Sequence, residues 1–268
     1  GLSSLPERVL LLLGPRKLEL AVAALSQFVA AKAALAEDPP NQDPLAGRRR
    51  PHTFAVWVLH PHTLEPHVVS EFNSDAAAVL AALASVLAET GRLTAAAGAA
   101  DGAAALDLSR LLMRLKPLLD PDPHLSSLLH VVCAYGGNIG PSYSSSASSS
   151  ASAFASCPAA PFFSAGGADA HADVLGHPGF VFDLLYLHDA EDTSISDEQH
   201  QTVFNAFGGL KVRGDGFFYH KCPSFFFARR TQDEGSVHMA VAVMLQHPAL
   251  RLEQPEDFGE MERLLCLQ

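Results

Sequence analysis

The chain carries a short, unbroken apolar run from Arg8 to Leu13 and a stronger one from Phe180 to Leu187. Neither alternates polar with apolar residues, so neither suits a sheet with one face in water. Both read as strands covered on both faces, the pattern of a parallel sheet. Parallel neighbours need long crossovers, and the intervening sequence offers helices for them. Gly14-Pro15 stops the first run, and Lys17 to Leu35 follows at helical spacing, with Leu18, Val22, Leu25, Phe28, Val29 and Lys32 marking its faces. Glu37 to Pro51, rich in proline and arginine, reads as a loop.

Thr53 to His60 predicts a second strand, with Phe54, Val56 and Val58 set against Ala55, Trp57 and Leu59. His67 to Phe72 predicts a third, and the short turn between the two makes them antiparallel. Ser74 is the expected N-cap of a helix reaching Ala88, with Asp75 in its first turn. Ala104 to Leu119 is a further helix, stopped near Pro117 and Pro121, and Leu128 to Tyr135 is a fourth strand. Beyond Leu187, Ser196 or Asp197 caps a helix to Phe207, ended by Gly208-Gly209. Phe217 to Tyr219 and Ser224 to Ala228 read as a hairpin or edge strand, and Gln232 to Gln246 as the last helix, stopped before Pro248. Right-handed crossovers then predict an α/β fold: a doubly wound, mostly parallel sheet with one antiparallel edge strand and functional loops at the carboxyl ends of the strands.

One domain is expected over residues 1–268, with 136–170 as an insertion and 252–268 as a carboxyl-terminal tail. The insertion contains Ser144-Ser145-Ser146 and Ser148-Ser149-Ser150 in a Ser, Ala and Gly background. Such a tract buries too little apolar area to offset its ordering entropy, so disorder is expected there, with hydroxyls open to phosphorylation. The start on Gly1 leaves room for a preceding segment.

Charge narrows the function classes. Eighteen basic and 29 acidic side chains leave a formal charge of −11, the wrong sign for a generic nucleic-acid binder. Arg48, Arg49 and Arg50 form the one dense basic run, and a solvated loop accounts for it. Cys133, Cys157, Cys222 and Cys266 lie too far apart in sequence for a zinc knuckle or a redox pair, so free thiols in a reducing compartment are expected. No uncharged apolar stretch reaches membrane-spanning length, and Val9 to Leu13 lacks a signal-cleavage pattern; no membrane span is expected.

Several patterns invite a catalytic reading. His60-Pro61-His62 is followed by Ser70 and then Asn73, a spacing that matches the zinc signature of JAMM deubiquitinases except that Asn73 stands where they carry Asp. An amide is a much weaker zinc ligand than a carboxylate, so two turn histidines are the plainer account. Gly136-Gly137-Asn138-Ile139-Gly140 follows a strand but lacks the G-x-G-x-x-G spacing and a helix opening after it. His188-Asp189 has no partnered nucleophile or metal ligand and reads as a polar strand end. There is no G-x-S-x-G elbow.

A collinear set of segments resembles one family, the von Willebrand A-like scaffold subunit shared by the BRISC deubiquitinase complex and the A complex of the breast-cancer repair protein. Phe180 to His188 looks like its penultimate core strand, Val203 to Leu210 its helix with a Gly stop, and Leu245 to Arg251 the end of its final helix. Phe54 to Val58 and Phe72 to Asp75 are similar to its second strand and the start of the next helix. The resemblance implies a von Willebrand A-like fold. Metal-binding members of that class end their first strand in Asp-x-Ser-x-Ser, whose oxygens grip Mg²⁺. Here Leu11-Leu12-Leu13-Gly14-Pro15-Arg16 stands in that place and the Asp107-Leu108-Ser109 triplet lies within a helix, so the metal site is degenerate and no cofactor is expected.

The resemblance further implies a non-enzymatic scaffold that binds a ubiquitin-conjugating-enzyme-variant subunit. Through that subunit it would stabilise a JAMM enzyme specific for lysine-63-linked chains, in nucleus and cytoplasm, with a role in DNA damage repair. Direct contact with nucleic acid or membrane is not implied. Pro248-Ala249-Leu250-Arg251 fits the family's Pro-x-x-Arg docking motif: Pro248 fixes φ past the helix, and Arg251 offers a forked donor to the partner. A cation-dependent von Willebrand A interaction module and a JAMM-like zinc hydrolase are the alternatives.

Overall fold

The computed structural model describes residues 7–14, 17–36, 51–97, 106–119, 127–136, 171–187 and 225–228, with isolated helical residues at 198, 202–203, 241–242 and 244–245. All of the loop predicted at Glu37 to Pro51 except Pro51, the residues of 136–170 beyond Gly136, Phe217 to Tyr219 and 252–268 lie outside the described residues, as does most of the two helices predicted after Leu187.

The strands are β1 (Glu7–Leu13), β2 (Thr53–Leu59), β3 (Pro66–Asn73), β4 (Leu128–Tyr135), β5 (Phe180–Leu187) and β6 (Phe225–Ala228). Between them run helices α1 (Leu18–Ala36), α2 (Ala76–Ala97), α3 (Leu108–Leu115), continued by a 3₁₀ turn at Lys116–Leu118, and a short α4 (Ala172–Leu175). The strands form one sheet in the order β3-β2-β1-β4-β5-β6. β1 pairs in parallel with β2 and β4, β5 in parallel with β4 and β6, and only the edge strand β3 is antiparallel to its neighbour. This is the α/β, doubly wound, von Willebrand A-like arrangement: chain order runs outward from β1 to one edge, then resumes on the other side of β1 with β4.

Period-two alternation decides which residue faces which layer. Val9, Leu11, Leu13, Val56, Val58, Val132, Ala134, Leu185 and Leu187 pack with Leu25, Phe28 and Val29 of α1 and Val79, Leu83 and Val86 of α2. Helical Val241 and Met244 join the same layer. On the other face Leu10, Leu12, Trp57, Val131, Tyr135, Phe182 and Tyr186 pack with Leu108, Leu111, Leu112 and Leu115 of α3, Val174 of α4 and Val203. Every residue of β4 and β5 is buried.

Local chemistry moves three boundaries. Asp75, not Ser74, caps α2: its Oδ1 accepts from the amides of Ala77 and Ala78 at 2.9 and 3.3 Å, while Asn73 Oδ1 takes the Asp75 amide at 2.9 Å. α2 then runs to Ala97, beyond the predicted end at Ala88, because the Ala- and Leu-rich sequence meets no stop there. Asp107 is not inside a helix but caps α3, its Oδ1 accepting from Ser109 and Arg110 at 3.0 and 3.2 Å. Within α1, Leu18–Leu35 is long and apolar enough to cross a membrane by length and composition, though it holds the charged Glu19 and Lys32. Here it lays Ala21, Ala24, Leu25, Phe28 and Val29 on the sheet.

An Asp107→Ala variant should lose about 1 kcal/mol of stability, since two amides of the first turn of α3 lose their acceptor, whereas Asp107→Asn should lose much less. Urea unfolding with an unchanged m-value checks both.

Candidate functional site

In a doubly wound sheet ligands bind where the strand order reverses, in the crevice beyond the carboxyl ends of the strands. Here that point lies between β1 and β4. The register places Leu13 beside Ala134, and the Gly14 amide then donates to the Ala134 carbonyl at 2.7 Å, prolonging the pairing past the end of β1. A Cβ at Gly14 would meet Ala134 O at 3.2 Å and Tyr135 Cα and Cδ2 at 3.3 Å. β1 therefore stays paired with β4 past Leu13, with Tyr135 beside Gly14. The residue that follows the gap, Lys17, takes a left-handed backbone with φ of 56°, and its carbonyl receives the Ala21 amide at 2.9 Å to open α1. The described residues at the switch point are Leu13, Gly14, Lys17, Ala134 and Tyr135; Pro15 and Arg16 lie outside the described residues. Among the described residues no group of three His, Cys, Asp or Glu side chains could hold a metal ion.

The His60-Pro61-His62 turn serves the hairpin. His60 Nδ1 accepts from the amides of His62 and Thr63, both at 3.3 Å, and the His60 amide donates to Glu65 O at 2.9 Å. Ser70 pairs with Val56 and Asn73 with Phe54, four and six residues back along β2 from His60. At the rise of a strand those positions stand about 13 and 20 Å away. The hairpin therefore separates the residues that a zinc reading would need together. Asn73 Oδ1 is engaged by the Asp75 amide, and Ser70 Oγ donates to the Glu71 carbonyl.

At the opposite, amino-terminal end of the sheet the structure assembles a charge cluster that the sequence reading missed. Glu7 of β1, His130 of β4, Asp183 of β5 and Lys32 of α1 meet on the α1 side. Lys32 Nζ lies 2.7 Å from Glu7 Oε2; His130 Nδ1 lies 3.4 Å from the same oxygen, and His130 Nε2 lies 2.7 Å from Asp183 Oδ2. The Phe28 ring stands edge-on to His130 at 6.0 Å and lies 5.7 Å from the Lys32 ammonium. Relative exposure is 7% for Glu7, 4% for Lys32, 1% for His130 and 0% for Asp183, which excludes a substrate and marks the cluster as structural. Burial alone would push the Glu7 carboxyl up, but the His130 hydrogen bond and the charges of His130 and Lys32 outweigh it and hold Glu7 well below the usual carboxylate range. Burial would lower His130, yet the charge and hydrogen bond of Asp183, helped by Glu7, raise it above the ordinary imidazole value. The readable signal was polarity inside apolar strands: His130 in LLHVVCAY and Asp183 in FVFDLLYL.

Cys133 is buried within β4, and burial pushes its thiol far up, so it remains protonated and inert. His188-Asp189, Gly137 to Gly140, Cys157, Cys222, Cys266, Pro248 and Arg251 lie outside the described residues.

No protein-family model matches the chain, and no curated protein matches it. Among solved structures, the conserved hypothetical protein BatB from Bacteroides thetaiotaomicron is similar at 11% identity, covering 89% of this chain and 98% of its own, with a TM-score of 0.44. The SpRpn10 VWA domain is similar at 10% identity over 91% of this chain and 97% of its own, also at 0.44. Proximal thread matrix protein 1 from the mussel byssus is similar at 10% over 89% of this chain and 47% of its own, at 0.40. Likeness at these scores adds nothing to the strand order, on which the von Willebrand A-like assignment rests.

Gly14→Ala should destabilise the protein by about 1–3 kcal/mol, because the new methyl meets β4 backbone that sheet pairing holds in place. Thermal or denaturant unfolding against the wild type measures it.

Proposed function

We propose that the chain is a non-catalytic protein-interaction module, and more finely a scaffold subunit of a lysine-63-specific deubiquitinase assembly of the BRISC type. The observation that carries the first part is the switch point: Leu13-Gly14 is paired onto β4 beside Tyr135, where a cation-gripping domain of this class presents oxygen ligands. An apolar strand end at that point supports action through contact surfaces.

The finer part is supported by the collinear sequence resemblance. On that reading the protein binds a ubiquitin-conjugating-enzyme-variant subunit, with Pro248 and Arg251 at the contact, and through it a JAMM deubiquitinase. It hydrolyses nothing itself and serves the assembly in nucleus and cytoplasm, including in DNA damage repair.

Affinity capture of the tagged chain followed by mass spectrometry should recover a JAMM subunit together with a variant-domain subunit. Arg251→Ala should weaken binding of the variant-domain subunit about 10-fold or more while leaving the melting temperature unchanged, as loss of a forked charge-assisted donor would. Unaltered affinity defeats the docking role of Arg251. Calorimetric uptake of Mg²⁺ by the purified chain would replace this reading with cation-dependent adhesion.

A further inference from the structure

The buried cluster at the amino-terminal end of the sheet joins elements that are far apart in the chain. Glu7 opens β1, Lys32 lies near the end of α1, His130 is in β4 and Asp183 is in β5. Both ring nitrogens of His130 face carboxylate oxygens, Glu7 Oε2 at 3.4 Å and Asp183 Oδ2 at 2.7 Å. An ionised carboxylate only accepts, so satisfying both contacts requires an N–H on each nitrogen, the doubly protonated ring. The charge sum agrees. Glu7 and Asp183 contribute two negative charges, Lys32 and an imidazolium two positive ones. Among the described residues, a neutral ring beside two carboxylates and one ammonium would leave one buried carboxylate charge without a counter-charge. One proton on Asp183 and none on the second ring nitrogen would also balance the sum, but imidazole is the stronger base and takes the proton.

We infer that His130 is a fixed imidazolium that ties β5 to β1 and α1, and that losing its ring proton releases this tie, so the amino-terminal end of the sheet is a proton-dependent clamp. Among the described residues, the charged or titratable groups facing it are Glu7 from β1, Asp183 from β5 and Lys32 from α1. His52 stands one shell further out, its Nδ1 accepting the Glu7 amide at 3.3 Å. Phe28 covers the ring edge-on and keeps water from replacing the lost partner.

The direction of the pH response follows. His130 is raised above its ordinary value of 6.5, so its stabilisation is complete below that value and is lost as pH rises through the folded-state value. Glu7 is lowered from 4.5, so its stabilisation is present above that value and is lost only as pH falls through its folded-state value. Stability should form a plateau between, with an alkaline shoulder that belongs to His130.

Nitrogen-15 spectra of histidine-labelled wild-type protein at about pH 7.5, above the ordinary imidazole range, read the ring directly. Two protonated nitrogens on His130 are expected there; a single pyridine-type nitrogen overturns the inference. Melting temperature followed from neutral to alkaline pH should fall in the wild type, and the fall should flatten in His130→Gln, which has no ring proton to lose. An equal alkaline fall in both overturns the clamp. Should His130→Gln fail to fold, the nitrogen spectra of the wild type decide alone.

Discussion

A strand paired on both sides and roofed by helices on both faces has no water to lend its charges. β1 is such a strand, and so are β4 and β5, whose every residue is buried. A polar side chain placed there must bring its own counter-charge, because the desolvation of a lone ion exceeds anything packing returns. Glu7, Lys32, His130 and Asp183 meet this condition together and in no smaller group, which makes the amino-terminal end of the sheet the place where three strands and a helix are held in one register. Removing one member of a buried pair costs about 3–5 kcal/mol, so the cluster is as decisive for these strands as any single apolar contact in either layer.

The same dryness governs the other end. At the switch point, β1 stays paired with β4 through the Gly14 amide, with buried Tyr135 beside Gly14. Glycine fits there because a Cβ would sit only 3.2–3.3 Å from β4 backbone, not because φ requires it. A larger residue there would need β4 to give by a few tenths of an ångström. Among the described residues, the buried charges of the sheet are gathered in the cluster at its amino-terminal end, and β1 stays paired with β4 past its last residue at the other end.

Most of the fold was legible because apolar periodicity is a local property. The runs at Arg8 to Leu13 and Phe180 to Leu187 announced doubly covered strands, and the short link from His60 to His67 announced the antiparallel edge. Where Ser74 was read as the cap, side-chain competition decided otherwise: Asn73 holds the Asp75 amide, and Asp75 is left to receive the first free amides of α2. The Asp107 triplet was misplaced within its helix for a similar reason, a cap and an interior residue differing in backbone angle and not in identity. The His60-Pro61-His62 spacing looked like chemistry because a spacing carries no direction; pairing Ser70 with Val56 and Asn73 with Phe54 sends those residues along the hairpin, away from the turn.

The amino-acid sequence by itself determined the α/β class, the antiparallel edge, the apolar end of β1 and the absence of an Asp-x-Ser-x-Ser run after it, since each is a matter of residue type and spacing within a few neighbours. Only the tertiary structure decided that Glu7, Lys32, His130 and Asp183 are one object. Residues 7 and 183 become neighbours of 130 through strand order, which puts β4 between β1 and β5, and that order follows from how crossovers pack and not from any local pattern. The charge state of His130 has the same origin, because the proton is held by two carboxylates delivered from opposite sides of β4.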